Sequence, residues 1–513
     1  MDNKGIKSTP IVEGALLQYL GSGMQIISGF IFYLFILRIY NASDVGVISL
    51  FIAIIGLFTV IFSFGLGTTA QHFMSYSIGQ GNEDIFVITI KKIFVYGFLC
   101  SFVGLLSLYF ISPFISLIFL HSSKFTTLIK LLTLVVFGSI FYAILNGIII
   151  GLQNFRLSAI SNIITWGLYY FTAILLVNFS HDLTFLVLGW ILGIFSGVII
   201  NASFLAKLLI KKNYDTNKKL SHNTSLTLLK YTIPLFLSST VNYGSLYVDR
   251  FVVAGLLNNA SLGIYNFALI IATGMDLLTF PFNRIILSKF SEFYGSGKKY
   301  LILKNGKIVS TVLTSVYVPS AIGIAVLSPL IIQVLAGSQY LASGTPLTII
   351  MISSALFITL NTLMQVLSSV RITRVFLYSS IFSLLSNLII STIMVPQYGL
   401  IGAAMGYSSI YFVTYFLLLY FARKEKIFSI DLYATLKIWF SSWIMYFTIY
   451  GIIHILSSKP LLLPAYILIG VTEYFYLIKK LKVFDVATKK AITDVLPFKK
   501  GLIYKLLILI MGS

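Results

Sequence analysis

Long apolar runs separated by short polar breaks organise this chain. They lie near 14–39, 46–75, 93–119, 127–151, 157–178, 183–209, 227–257, 261–287, 306–336, 345–369, 375–395, 398–421, 433–456 and 460–478. A helix needs about 20 apolar residues to cross about 30 Å of hydrocarbon, and each run meets that length. Lipid offers the backbone no hydrogen-bond partner, so spanning segments are expected as helices despite their isoleucine content. The pattern predicts an all-α integral membrane protein with about fourteen transmembrane helices.

The pattern also repeats. Asn41-Ala42-Ser43 before the second run recurs as Asn259-Ala260-Ser261 before the eighth, a shift of 218, and glycines Gly46 and Gly263 follow. Each of these runs leads into a glycine pair, Gly79-Gln80-Gly81 and Gly295-Ser296-Gly297. Leu145-Asn146 with Arg156 recurs as Leu360-Asn361 with Arg371, both at a shift of 215. Six spans per repeat is an even number, so the two copies share one orientation, as in parallel-repeat transporters. The expected plan is a six-helix lobe over 1–220, a second over 221–425, and two extra helices with a basic tail over 426–513. Within that tail, Leu506–Met511 is too short to span and is expected to lie at the interface.

Composition agrees with a bilayer as solvent: 58% of the 513 residues are hydrophobic and only 10% are charged. The net charge of +21 would suggest nucleic acid, but its placement argues against it. With the amino terminus inside, 31 of the 36 lysines and arginines fall in cytoplasmic segments, the bias that sets membrane orientation. Both termini are therefore expected on the cytoplasmic side of the cell membrane. The Lys211, Lys212, Lys218, Lys219 cluster is a topology signal that attracts anionic headgroups. No nucleic-acid partner is expected. Cys100 has no second cysteine to pair with and is expected as a small packed hydrophobe.

Ionisable groups inside lipid are costly and so become functional candidates. The seventh run holds Asp249-Arg250 toward its outer end. Arg250 suits a bidentate contact to a phosphate or diphosphate, and Asp249 either titrates during transport or neutralises a neighbour. A structural ion pair between helices is the competing explanation. Asp276 in the eighth run suits a proton or cation coupling site, or else a hydrogen bond between helices. Among neutral polar residues, Gln18, Gln25, Asn242, Asn266 and Gln365 lie where two lobes would enclose a cavity, and amides with aromatics suit a sugar headgroup. Helix-to-helix hydrogen bonds would account for them equally. The five histidines are scattered without metal-ligand spacing, and no phosphate-binding glycine loop occurs. No metal, cofactor or catalytic residue is expected.

Certain residues resemble a known family. Tyr231-Thr232-Ile233-Pro234-Leu235, Val248-Asp249-Arg250 and Leu262-Gly263-Ile264-Tyr265 look like the start of the second lobe in polysaccharide-biosynthesis oligosaccharide flippases of the Wzx type. Pro396-Gln397-Tyr398-Gly399-Leu400-Ile401-Gly402-Ala403-Ala404 is similar to the turn into their twelfth helix, and Asn41-Ala42-Ser43-Asp44-Val45-Gly46 to the turn after their first. These proteins belong to the multidrug/oligosaccharidyl-lipid/polysaccharide exporter superfamily. The resemblance implies two six-helix lobes, a central V-shaped cavity, alternating access and a polyprenyl-linked oligosaccharide as substrate. It also implies membrane lipids, glycan polymerases or glycosyltransferases as partners. A multidrug/cation antiporter of the same superfamily is the alternative. Such antiporters often carry an acid in the first helix, and none stands between Gly14 and Arg38.

Overall fold

The computed structural model describes residues 11–80, 83–211, 222–370, 372, 374–427, 430–456, 459–485 and 488–489. The interfacial segment expected at 506–511 and most of the linker near 211–225 lie outside them. The described chain is helical throughout and divides into two compact units, Met1–Gly263 and Ile264–Ser513. This division groups helices that pack together. The 220/221 repeat boundary is a matter of topology and stands as a separate proposal.

The first unit contains α1 (Ile11–Ile39), α2 (Ala42–Ser63), α3 (Leu66–Gln80) and α4 (Glu83–Phe119). It continues with α5 (Thr126–Gly151), α6 (Phe155–Val177), α7 (Leu183–Lys211) and α8 (His222–Leu256). The first turn of α9 (Asn259–Gly274) closes it. The second unit holds the rest of α9, then α10 (Phe280–Gly295), α11 (Lys299–Ala336) and α12 (Gly344–Ser369). After these come α13 (Arg374–Tyr398), α14 (Leu400–Lys424), α15 (Leu432–Leu456) and α16 (Leu463–Lys480).

Each of the fourteen apolar runs falls on helix, but two are not continuous spans. The second breaks between α2 and α3, where Phe64 and Gly65 both adopt left-handed backbone (φ 47° and 67°). The eighth breaks at a 3-10 turn, Met275–Leu278, before Pro281 in the first turn of α10. Proline lacks the N–H that a continuing helix would need there, whereas a first turn leaves that N–H unpaired anyway. The two interruptions occupy equivalent places in the proposed repeat. Eleven helices among the described residues are long and apolar enough to cross a membrane by composition. The three expected spans outside that set are α1, α8 and the broken α9–α10 segment.

Helices in lipid gain little from burying apolar surface against one another, so close backbone approach does the joining. On α7, Gly189, Gly193 and Gly197 repeat every fourth residue and face Ala173, Tyr169 and Thr165 of α6. A Cβ at Gly193 would overlap the Tyr169 backbone, and one at Gly189 would overlap Ala173. In the second unit, Gly402 and Gly406 of α14 meet Met394 and Ser391 of α13 in the same manner. Both glycines sit 213 residues after Gly189 and Gly193. The pairs α6–α7 and α13–α14 thus use one device twice.

A third crossing joins the repeated turns themselves. A Cβ at Gly46 would overlap the Asn259 carbonyl, and one at Gly263 would overlap that of Ala42. The capping asparagines are Asn41, whose Oδ1 accepts from Asp44 N (2.9 Å), and Asn258, whose Oδ1 accepts from Ser261 N (2.8 Å). Cap to cap and glycine to glycine, the structural register is therefore 217. The shared Asn-Ala-Ser letters suggest 218 because the second copy carries an extra asparagine.

Asn146 and Asn361 also repeat in use. Ser158 of α6 donates to Asn146 Oδ1 (2.8 Å), and Asn361 of α12 donates to Asn283 Oδ1 of α10 (2.9 Å). Each bond ties an asparagine to a neighbouring helix within its own unit.

Candidate functional site

Along α8 of the first unit, Tyr243, Tyr247 and Arg250 follow at spacings of four and three, which places them on one helix face. The two tyrosine rings lie parallel, 4.2 Å apart between centroids and 5° apart in plane. The Arg250 guanidinium sits 4.1 Å over the other side of the Tyr247 ring, and its Nη1 donates to the Leu246 carbonyl at 2.7 Å. A planar cation over an aromatic face is held by the ring quadrupole, more strongly where water is excluded. Arg250 is only 7% exposed and Asp249 fully buried, so protein rather than lipid surrounds both.

The ladder is fixed to α2 at its lower rung. Tyr243 Oη donates to the Ala53 carbonyl (3.1 Å) and rests over Gly56, where a Cβ would overlap the hydroxyl. Lower on α8, the hydroxyls of Thr232 and Thr69 of α3 share a hydrogen bond of 2.9 Å. These contacts seat the polar side of α8 on α2 and α3.

Two further tyrosines reach this ladder from other helices. Tyr170 of α6 lies near Tyr33 of α1 and near Tyr247, and Tyr33 lies near Tyr243 as well. The Tyr170 hydroxyl lies against Gly29 of α1, whose added Cβ would come within 3.1 Å of it. Trp166 stacks on Tyr170 (6.2 Å, 28°). Tyr33 of α1 and Tyr170 of α6 thus lie near the Tyr243–Tyr247 pair of α8 that carries the guanidinium, all within the first unit. Such a surface can stack on flat faces, hydrogen-bond hydroxyls and hold an anion.

The residues singled out from sequence fall on helices of both units. Asp249, Arg250 and Asn242 lie on α8, with Asn242 exposed beside Tyr243, and Gln18 and Gln25 lie half-buried on α1. Gln18 donates to the Phe155 carbonyl at 3.4 Å, a bond between α1 and the start of α6. Asn266 (buried, on α9) and Gln365 (half-buried, on α12) belong to the second unit. Asp276 falls in the Met275–Leu278 turn, and its side chain is outside those described. The tyrosines were not singled out at all. Among the described residues no three His, Cys, Asp or Glu side chains gather as a metal site.

Residues 35–345 match the model of a family described as polysaccharide biosynthesis protein. An uncharacterized membrane protein of Methanocaldococcus jannaschii is 26% identical over 290 residues, which is 53% of this chain and 66% of that protein, just under two thirds of its length. Among solved structures, the lipid II flippase MurJ in an inward closed conformation superposes with a TM-score of 0.73 at 20% identity, covering 91% of this chain and 98% of its own. An inward-facing multidrug resistance MATE transporter of the MOP superfamily gives 0.60 at 15% identity, covering 78% and 95%. A MOP superfamily transporter from Pyrococcus furiosus gives 0.55 at 13%, covering 80% and 94%. At these identities the likeness is one of fold.

Proposed function

Because this chain belongs to the polysaccharide biosynthesis protein family, we propose that it is a flippase carrying a lipid-linked oligosaccharide from the cytoplasmic to the outer leaflet. The headgroup enters from the cytoplasmic side while the lipid tail stays in the bilayer. Alternating access then releases it outward for assembly of surface polysaccharide or glycoprotein glycans. The charge bias supports a cell-membrane protein with both termini in the cytoplasm. The membrane potential or a cation gradient supplies the drive, and the substrate shifts the cycle by binding one state better than the other.

The observation that carries this proposal is the buried Arg250 guanidinium stacked on the Tyr243–Tyr247 pair. Arg250 supplies the anion contact for the phosphate next to the lipid, and the aromatics and amides supply neutral surface for the glycan. A charge-assisted hydrogen bond of this kind is worth about 1.5–3 kcal/mol. Arg250→Ala is therefore expected to slow flipping by about one to two orders of magnitude. The test uses purified protein in liposomes with a fluorescent polyprenyl diphosphate oligosaccharide, read by leaflet accessibility. Protein-dependent movement that weakens in Arg250→Ala supports the proposal. No movement under a proton or sodium gradient, with export of cationic drugs instead, would establish the antiporter alternative.

A further inference from the structure

We propose that the first unit holds an internal water site between α5, α6 and α7, built around Asn201. The contact of α6 with α7 keeps a steady register: Gly189 meets Ala173, Gly193 meets Tyr169 and Gly197 meets Thr165. Each step of four along α7 is matched by a step of four back along α6, so the next pair is Asn201 with Ser161. The second unit shows the equivalent pair in contact. The spacing that leads from Gly193 to Asn201 leads there from Gly406 to Thr414, whose hydroxyl lies 3.5 Å from that of Ser383 on α13.

Asn201, Ser161 and Thr165 are each 0% exposed. Yet Nδ2 and Oδ1 of Asn201, Oγ of Ser161 and Oγ1 of Thr165 have no hydrogen-bond partner among the described residues. Tyr142 of α5 closes the group, for its ring borders Gly197 beside Thr165 and its hydroxyl lies near Ser161 and Thr165. The one proton of that hydroxyl goes to Asn162 Oδ1 at 2.7 Å, and neither neighbour meets it with hydrogen-bond geometry. A buried amide left without partners is costly, so the group calls for a ligand. It presents donors and acceptors together, the mixture that suits water, which makes about three bonds in such sites. A cation would face amide N–H groups and stay uncompensated, because α5, α6 and α7 carry no aspartate or glutamate. Asn201 stands ten residues from the end of α7 at Lys211, about 15 Å along the helix, so this water is internal to the fold.

Radiolytic footprinting of the detergent-purified full-length protein gives the test, since X-rays turn bound water into hydroxyl radicals that oxidise the adjoining side chain. Tyr142 and Tyr474 are about equally shut off from solvent, at 5% and 3% exposed, and Tyr474 donates its hydroxyl to the Ser315 carbonyl. Tyr142 is expected to oxidise several-fold faster than Tyr474, and to fall to the Tyr474 rate in Asn201→Leu. Ser161→Ala, a smaller change, lowers Tyr142 oxidation part of the way and serves if Asn201→Leu does not purify. Thermal unfolding adds a sign. Asn201→Leu expels the water and strands the Ser161 and Thr165 hydroxyls, so it melts a few degrees below the parent. Adding Ser161→Ala and Thr165→Val removes the stranded groups and restores the melting point. Equal oxidation of Tyr142 and Tyr474 would overturn the site, and so would an Asn201→Leu protein that melts above the parent, because hydrocarbon improves on a dry amide. Sodium chloride that stabilises the parent more than choline chloride does, but not Asn201→Leu, would replace water by a cation. None of these measurements requires transport, so a failure of the flippase proposal leaves them unaffected.

Discussion

Gly193→Leu is expected to melt well below the parent protein or to fail to purify as a single species. The Cβ alone would overlap the backbone nitrogen and Cα of Tyr169, and no side-chain rotation on α6 relieves a clash with backbone. The helices must separate, which breaks the neighbouring contacts of Gly189 with Ala173 and of Gly197 with Thr165. Overpacking typically costs about 1–3 kcal/mol, and a row opened along its length lies at or beyond the upper end. Trp166, Tyr169 and Tyr170 all ride on α6, so the aromatic site shifts with it. Gly167→Ala is the control: its Cβ would meet only the Met24 methyl at 3.9 Å, and it is expected within about 0.5 kcal/mol of the parent. Thermal unfolding followed by size-exclusion chromatography reads both. A Gly193→Leu protein that melts with the parent would mean that α6 and α7 do not cross there.

Gly56→Ala is expected to cut flipping about tenfold or more, although the residue touches no substrate in the proposed site. Its methyl would occupy the position of the Tyr243 hydroxyl, so the ring must tilt and the 4.2 Å stack on Tyr247 opens. A displacement of 1 Å at a positioning group can cost about two orders of magnitude in rate. Tyr243→Phe alone loses the bond to Ala53, a penalty near 1 kcal/mol, and keeps the ring. Combining the two removes the atom that clashes most closely, so Gly56→Ala with Tyr243→Phe should flip faster than Gly56→Ala alone. That sign reversal is the discriminating result in the liposome assay. If the double variant is slower than either single, the effect of Gly56 does not pass through Tyr243.

The positions of the helices were legible because bilayer thickness imposes a minimum apolar length, and fourteen runs meet it. The breaks were harder. Hydropathy is blind to Phe64 and Gly65, whose left-handed backbone ends α2 inside an apolar run, whereas Pro281 was a visible stop signal. The glycines every fourth residue on α7 stand in the sequence too, but the apolar-run reading passed over them and their contact emerged only from the structure. The site was less accessible. Asp249 and Arg250 stood out because charge is rare in lipid, but 31 tyrosines in one chain make a spacing of four unremarkable. That Tyr33, Tyr170 and Tyr247 meet depends on how α1, α6 and α8 converge, and no local pattern carries that. For Gln18 the sequence left a cavity amide and a helix-to-helix bond open together, and the structure shows its bond to the Phe155 carbonyl.

Among the described residues α8 is absent from the eleven helices apolar enough to span by composition. An aspartate or an arginine at a helix centre costs about 2.5–3.5 kcal/mol to insert from the translocon, and Asp249 and Arg250 toward the outer end of α8 cost a part of that. What offsets this is the polar bed on α2 and α3, where Tyr243 finds Ala53 and Thr232 finds Thr69. Those helices leave the ribosome long before α8 does, so biosynthesis supplies the acceptor before the guest. Insertion of α8 then becomes a templated event, and its efficiency is written partly in residues some 190 positions upstream. A glycosylation tag placed after α8 should therefore report poorer insertion when Gly56→Leu and Thr69→Leu spoil its seats on α2 and α3, changes that leave the number of spans unaltered. The segment that carries the proposed chemistry would enter the bilayer only as a dependant of the first unit.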